Sequence, residues 1–321
     1  MIVDSTRSKR RATAPHESND HQIDVGDFFG TTSELGAQVW HFDGSKAVRV
    51  GISNPDHRSM TLINGSESLR EAMQRLPMFA EKTFILHKME LPPGAYYPRM
   101  SRPHDQYLLE SPGMLPRYQE SSDLIASTLN QVRYLVGMLD TIFQTIHPTQ
   151  ENMGCYGNSI RNLLILACTE CEAQWRGVLQ ANGVTIKKPN TNQYVKLAHA
   201  MRLSEYAVKL RHCPWLEAVS PFEDWNTDDP TNTIPWYNDY HSTKHNREDA
   251  FMKATLGSAI QAVSAVWIMV ISQFGIQSER EFIDLSQYFY LERVPLWRFS
   301  EVYTHGYDGF EGQAGARHYP F

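Results

Sequence analysis

The chain reads as mainly α: a four-helix bundle preceded by a small N-terminal α+β extension. Three observations predict this. From about residue 118 to 275 the apolar residues recur every three or four positions along four long segments. Proline, glycine or polar breaks separate those segments, as they separate helices. Strand-like patterns are confined to residues 25–117. With 321 residues, 41% of them apolar and 21% charged, the composition is that of an ordinary globular protein with room for two units.

In chain order, residues 1–24 are polar, with Arg7, Lys9, Arg10 and Arg11 clustered, and read as a disordered, solvated basic tail. Between 25 and 117, Gln38–Phe42 and Lys46–Ile52 flank Asp43-Gly44 and predict a hairpin. Ser68-Leu-Arg-Glu71 has the capping-box spacing and predicts a short helix closed by Pro77. Thr83–Leu91 fits a further strand, and the six prolines of 92–117 predict an extended linker.

The domain 118–275 then carries the helices. Over 120–147 the stripe is Leu124, Ile125, Leu129, Val132, Leu135, Val136, Leu139 and Phe143. Over 158–181 it is Ile160, Leu163, Leu164, Ala167, Cys171, Trp175 and Val178, stopped by Asn182-Gly183. A weaker stripe predicts a third helix over 191–212, and 213–235 is a long loop. The fourth helix is expected from about 236 or 246 to 274, ended by Gly275. Residues 276–321 form an aromatic, Gly-rich extension.

Net charge is −6 and the pI about 6.1, which argues against broad adhesion to nucleic acid or anionic membrane while allowing a local basic groove. The four cysteines are too few for a disulfide framework at this size and read as reduced thiols. The N-terminus has no apolar signal core, and the run Ala259–Ile271 is shorter than the ~20 residues of a membrane span. The expectation is a cytoplasmic protein with no membrane partner.

Chemistry concentrates in Trp236-Tyr-Asn-Asp-Tyr-His-Ser-Thr-Lys-His-Asn-Arg-Glu248. On a helix, His241 and His245 stack four residues apart. Counting the stripe back from Val263 through Leu256 and Met252 turns both rings inward, with Lys244 and Arg247 beside them. Glu170, at the edge of the apolar face of 158–181, is the expected carboxylate partner; Glu172 is expected to point further outward. Three readings stay open. One is a structural His–Glu network. Another is a general acid–base site for RNA cleavage, with His245 as acid or base, Lys244 and Arg247 holding phosphate charge, and His241 and Glu170 orienting. The third is a metal-dependent hydrolase, since His-x-x-x-His suits two zinc ligands, although no third ligand is marked. No metal or other cofactor is assigned.

The helix 158–181 with its carboxylate, Pro221-Phe-x-x-Trp225, the block Trp236–Arg247 and the Ala-rich last helix together resemble the HEPN superfamily over roughly 118–275. That resemblance implies an all-α bundle acting as a homodimer on RNA. It also implies a metal-independent endoribonuclease of a prokaryotic toxin or defence system, with an antitoxin or other protein partner. Degenerate members instead imply a non-catalytic bundle that binds a partner protein, RNA or nucleotide. Active members carry Arg, four to six residues, then His. His245 matches the His, while Asn238, Asp239 and Tyr240 stand where the Arg would be.

Overall fold

Asp43 makes the first tight turn. Its Oδ1 accepts hydrogen bonds from the backbone N–H groups of Ser45 and Lys46, both at 2.9 Å, and Gly44 supplies the positive φ of 93°. The strands this turn joins belong to a five-stranded antiparallel sheet. The computed structural model describes residues 22–33, 36–50, 60–104, 122–185, 187, 190–275, 287–304 and 315–321. Most of the expected basic tail (1–21), much of the proline-rich linker (105–121) and the stretches 276–286 and 305–314 of the C-terminal extension lie outside them.

The chain divides into two compact units, Met1–Lys88 and Met89–Phe321. In the first, β1 (Phe28–Ser33), β2 (Gly36–Phe42), β3 (Lys46–Arg49), β4 (Met60–Leu62), α1 (Leu69–Gln74) and β5 (Ile85–Lys88) follow in order. The sheet order is β4-β3-β2-β1-β5, with Phe29 opposite Trp40 and Trp40 opposite Arg49. Phe29, Trp40, Met73, Phe79, Phe84 and Leu86 form its core. Ser68 caps α1 through the expected box, its Oγ accepting from Glu71 N–H while Glu71 accepts from Ser68 N–H.

The second unit runs β6 (Ala95–Tyr96), α2 (Ser122–Phe143), α3 (Asn158–Ala181), α4 (Thr191–Tyr194), α5 (Lys196–Ala200), β7 (Ala207–Leu210), α6 (Pro235–His245), α7 (Arg247–Ala250), α8 (Leu256–Phe274), β8 (Phe289–Arg293) and β9 (Gly315–Ala316). Helix α8 is buried on nearly every side, the state expected of a helix apolar all round. It is long and apolar enough to cross a membrane, yet 89% of its most apolar window is buried inside the fold, so it serves as the core helix of this unit. Helices α2, α3 and α6 pack on it.

The N-terminus of α8 is fully accounted for. The N–H groups of Leu256 and Gly257 donate to the carbonyls of Cys155 and Met153, and Thr255 Oγ1 caps Ser258 N–H at 3.2 Å. Thr255→Ala is expected to lower the stability of this unit by about 1 kcal/mol, read as a smaller denaturant midpoint with unchanged slope.

The expected mainly α four-helix bundle is overturned. Of the described residues 43% are helical and 16% in strands, and the fold is α+β. Two causes are local. The segment expected as a third helix stops after α5 and a 3-10 turn, where Arg202 takes a left-handed φ of 51°. It then becomes β7, which pairs antiparallel with β8. The fourth helix is not continuous either. It ends at His245, resumes briefly as α7, passes through a 3-10 turn (Phe251–Lys253) and restarts at Leu256.

Candidate functional site

Pro235 at the first turn starts α6, where its missing N–H costs nothing. The side of α6 that faces the core is Trp236, Tyr237, Tyr240 and Thr243. It packs against Trp175 of α3, which is fully buried and has Tyr237 at 5.4 Å and Trp236 at 6.3 Å between ring centroids. The Pro221–Trp225 segment closes the cluster. Phe222 stacks on Trp225, and the Pro221 carbonyl accepts from the Trp236 indole N–H at 2.8 Å. Aromatic packing therefore sets the orientation of α6, and with it the polar row along its edge.

That row lies at the α3–α6 seam. Tyr237 Oη donates to Glu172 Oε1 at 2.7 Å, and the combination of burial and the neighbouring carboxylate raises the tyrosine's pKa. One turn on, the His241 ring sits 5.1 Å from Tyr237 and 5.6 Å from Tyr240. Its half-buried position holds His241 below the usual histidine range, and His245 and Lys244 push the same way, while Glu172 opposes. His241 is thus biased toward its neutral, proton-accepting form. The His245 ring lies 5.7 Å beyond it, tilted by 31° and exposed.

Lys244 folds back one turn. Its Nζ donates to Tyr240 Oη at 2.7 Å and lies 5.0 Å from that ring's centre. The hydrogen bond raises the lysine's pKa, so its charge persists through neutral pH. An ammonium group has three donors, and this bond uses one. On the other side of α6, Asp239 Oδ2 accepts from Ser258 Oγ at 2.6 Å and ties the helix to α8.

Three expectations for these residues change. Glu170 is not the partner of the histidines. It accepts from Gln174 Nε2 at 2.9 Å and faces the half-buried Arg99. Glu172 takes the expected role, because Glu170 and Glu172 stand on opposite edges of the buried stripe of α3, about 160° apart around the helix. His245 does not point inward, since the break after it decouples α6 from the stripe of α8. Arg247 starts α7, but its side chain lies outside the described residues. His241, His245 and Lys244 do come together. The cysteines are free, and burial pushes the thiols of Cys168 and Cys171 well up. Among the described residues no three His, Cys, Asp or Glu side chains converge to hold a metal ion.

The contribution of Glu172 was readable in part. It follows the buried Cys168 by four residues and precedes Trp175 by three, so it borders the buried stripe. Nothing local says which edge of α3 meets α6. Comparison of the chain with family models, curated proteins and solved structures returned no significant match.

Proposed function

We propose that the second unit acts on RNA at the α3–α6 seam as a metal-independent endoribonuclease. The observation that carries this reading is the pair of adjacent imidazoles, 5.7 Å apart, one biased neutral by burial and one exposed, with a persistent lysine cation between them in sequence. In the reaction, neutral His241 takes the proton of a ribose 2′-hydroxyl, and the 2′-oxygen attacks the adjacent phosphorus. The P–O5′ bond breaks, the leaving oxygen receives a proton from the imidazolium form of His245, and a 2′,3′-cyclic phosphate remains. Lys244, through its two unused N–H donors, offsets charge on the phosphoryl oxygens. Glu172, through Tyr237, positions the row. The resemblance of Trp236–Arg247 to HEPN ribonucleases supports the same reading from the side of sequence. It carries with it a homodimer and a cytoplasmic location, and the four free thiols suit such a reducing compartment.

The test is incubation of the purified full chain with mixed RNA in the presence of a chelator. Chelator-resistant cleavage with cyclic phosphate ends is expected, lowered about 10²- to 10⁴-fold by His241→Ala and by His245→Ala. Because the pKa of His241 is depressed, the rate should fall as pH drops through that value, with the limb centred below the ordinary ~6.5 of histidine. Absence of cleavage over a wide range of protein concentration sinks the catalytic reading. A second reading, non-catalytic binding of RNA or a partner, is favoured by one observation: Tyr237 and Lys244 already have partners inside the fold. RNA retained by the chain but left intact would select it.

A further inference from the structure

A cavity of about 430 Å³ opens between the end of α2 and the start of α3, in the same unit as the histidine row. That volume is within the range of small-molecule sites, roughly 300–1,000 Å³. None of the described residues that line it carries a charge. Met138, Ile142 and Ile160 give it apolar walls, and Thr141, Thr145, Asn158, Ser159 and Asn162 set polar groups among them. The two threonine hydroxyls donate to backbone carbonyls of α2, Thr141 to Gly137 at 2.9 Å and Thr145 to Ile142 at 3.0 Å. Their protons are thereby used and their oxygens remain as acceptors. The exposed amides of Asn158 and Asn162 offer donors and acceptors together.

This lining selects by exclusion. With no cation, it offers nothing to offset the desolvation of a phosphate or a carboxylate. A ligand with apolar faces, and with neutral donors and acceptors along its edge, satisfies both kinds of wall. A nucleobase has that form, and unpaired bases are bound by stacking on aromatic rings and by hydrogen bonds to their edges.

The surroundings connect the cavity to the histidine row. Tyr156, the aromatic member of the lining, is 51% exposed and meets Phe251 edge to face, 5.8 Å between centroids and 88° between planes. Phe251 begins the 3-10 turn that packs on α6, and Lys253 at its end donates to Ser242 Oγ at 3.4 Å. Ser242 directly follows His241. Lys253 is exposed and keeps two N–H donors for a phosphate lying between the row and the cavity. We propose that the cavity holds one unpaired base of an RNA strand whose scissile phosphate lies on the histidine row, with Tyr156 stacking on the base and Asn162 hydrogen-bonding its edge. This inference rests on the reading of the row as an RNA site and adds the form of the substrate. A base in a duplex reaches such a cavity only by unpairing, so the strand is single.

Fluorescence anisotropy of the full chain with a short, labelled 2′-O-methyl RNA tests this, since that RNA lacks the attacking hydroxyl and stays intact. The single strand should bind about tenfold or more tightly than the same RNA annealed into a duplex, and Tyr156→Ala and Asn162→Leu should each weaken it by about tenfold. Both side chains are exposed, so both variants should keep the denaturant midpoint of the unaltered chain. Equal binding of single strand and duplex overturns the proposal, as does unchanged affinity in both variants or no binding of RNA at all. Cleavage of ordinary RNA by the two variants at the unaltered rate would remove the base site and leave the ribonuclease reading standing. Binding sensitive to both substitutions, in a chain that cleaves nothing, would do the reverse.

Discussion

Trp175→Ala is expected to destabilise the second unit by about 3–5 kcal/mol, the cost of emptying a large aromatic site in a packed core. The size follows from what the ring touches. It is fully buried, and five aromatic rings surround it: Tyr194 at 5.2 Å, Phe222 at 6.3 Å, Trp225 at 5.0 Å, Trp236 at 6.3 Å and Tyr237 at 5.4 Å. These come from α4, the 213–235 loop and α6, so one side chain of α3 joins three separate segments. Collapse around the deletion would require all three to move together, which close packing resists. Trp175→Phe should cost about half as much or less, since it keeps one ring and removes an indole N–H that has no acceptor. Chemical denaturation of both variants measures the difference. A change within ~1 kcal/mol for the alanine variant would show that α6 is held by other contacts. A larger loss would also carry the histidine row with it, because Tyr237 is both a neighbour of Trp175 and the donor to Glu172.

The parts of the fold that could be read in advance are those whose stabilising partners lie nearby in sequence. Ser68 and Glu71 satisfy each other's backbone groups, so their spacing alone located α1. The stripes of α2 and α3 hold because one face of each is buried along its length, and Asn182-Gly183 follows α3 as the stop signals required, with Gly183 at a φ of 80°. Residues 191–212 show the opposite case. Tyr194, Leu197, Ala198 and Met201 are all buried and helically spaced, yet Val208 and Leu210 leave that pattern to pair with Leu291 and Phe289. A strand whose partner is some eighty residues away has no local signature that outweighs a helical run of apolar residues. The bundle expectation failed there, and in treating the sheet of the first unit as a minor extension.

The candidate site was legible in its residues and not in its register. His241, Lys244 and His245 stand out in the sequence because charged and titratable groups at the start of an apolar segment require partners. Their expected facing depends on the stripe of α8 continuing backward through Met252. That residue is 61% exposed, and the helix breaks on both sides of it, so the count carries no information past Leu256. The visible signs of the break were polar: Asn246, which ends α6, and Thr255, which caps α8. Glu172 and Glu170 differ by two residues on one helix, and only the placement of α6 and Arg99 around α3 distinguishes their roles.

Arg202→Met is expected to cost the second unit about 3–5 kcal/mol, because it leaves a mostly buried carboxylate without its cation. Arg202 Nη2 donates to both oxygens of Glu301, at 2.9 and 2.7 Å, and Nη1 donates to the Leu296 carbonyl at 2.8 Å. Side-chain exposure is 19% for Arg202 and 14% for Glu301, low enough that solvent screening does not erase the pairing. Methionine fills a similar volume over Trp297, so the loss reports the polar contacts rather than a cavity. Arg202→Lys should fall between the two, since it restores the charge without the two-pronged geometry. The arginine also holds the left-handed backbone at which the helical run turns toward β7, so these contacts across ninety-nine residues help set the chain direction that the local pattern did not reveal. A double variant, Arg202→Met with Glu301→Gln, separates pairing from packing. With the carboxylate neutralised, the combined loss should be smaller than the sum of the single losses by about 1–3 kcal/mol. Simple additivity, to within ~0.5 kcal/mol, would mean that the two residues stabilise the unit independently and that the turn at Arg202 is held by packing alone.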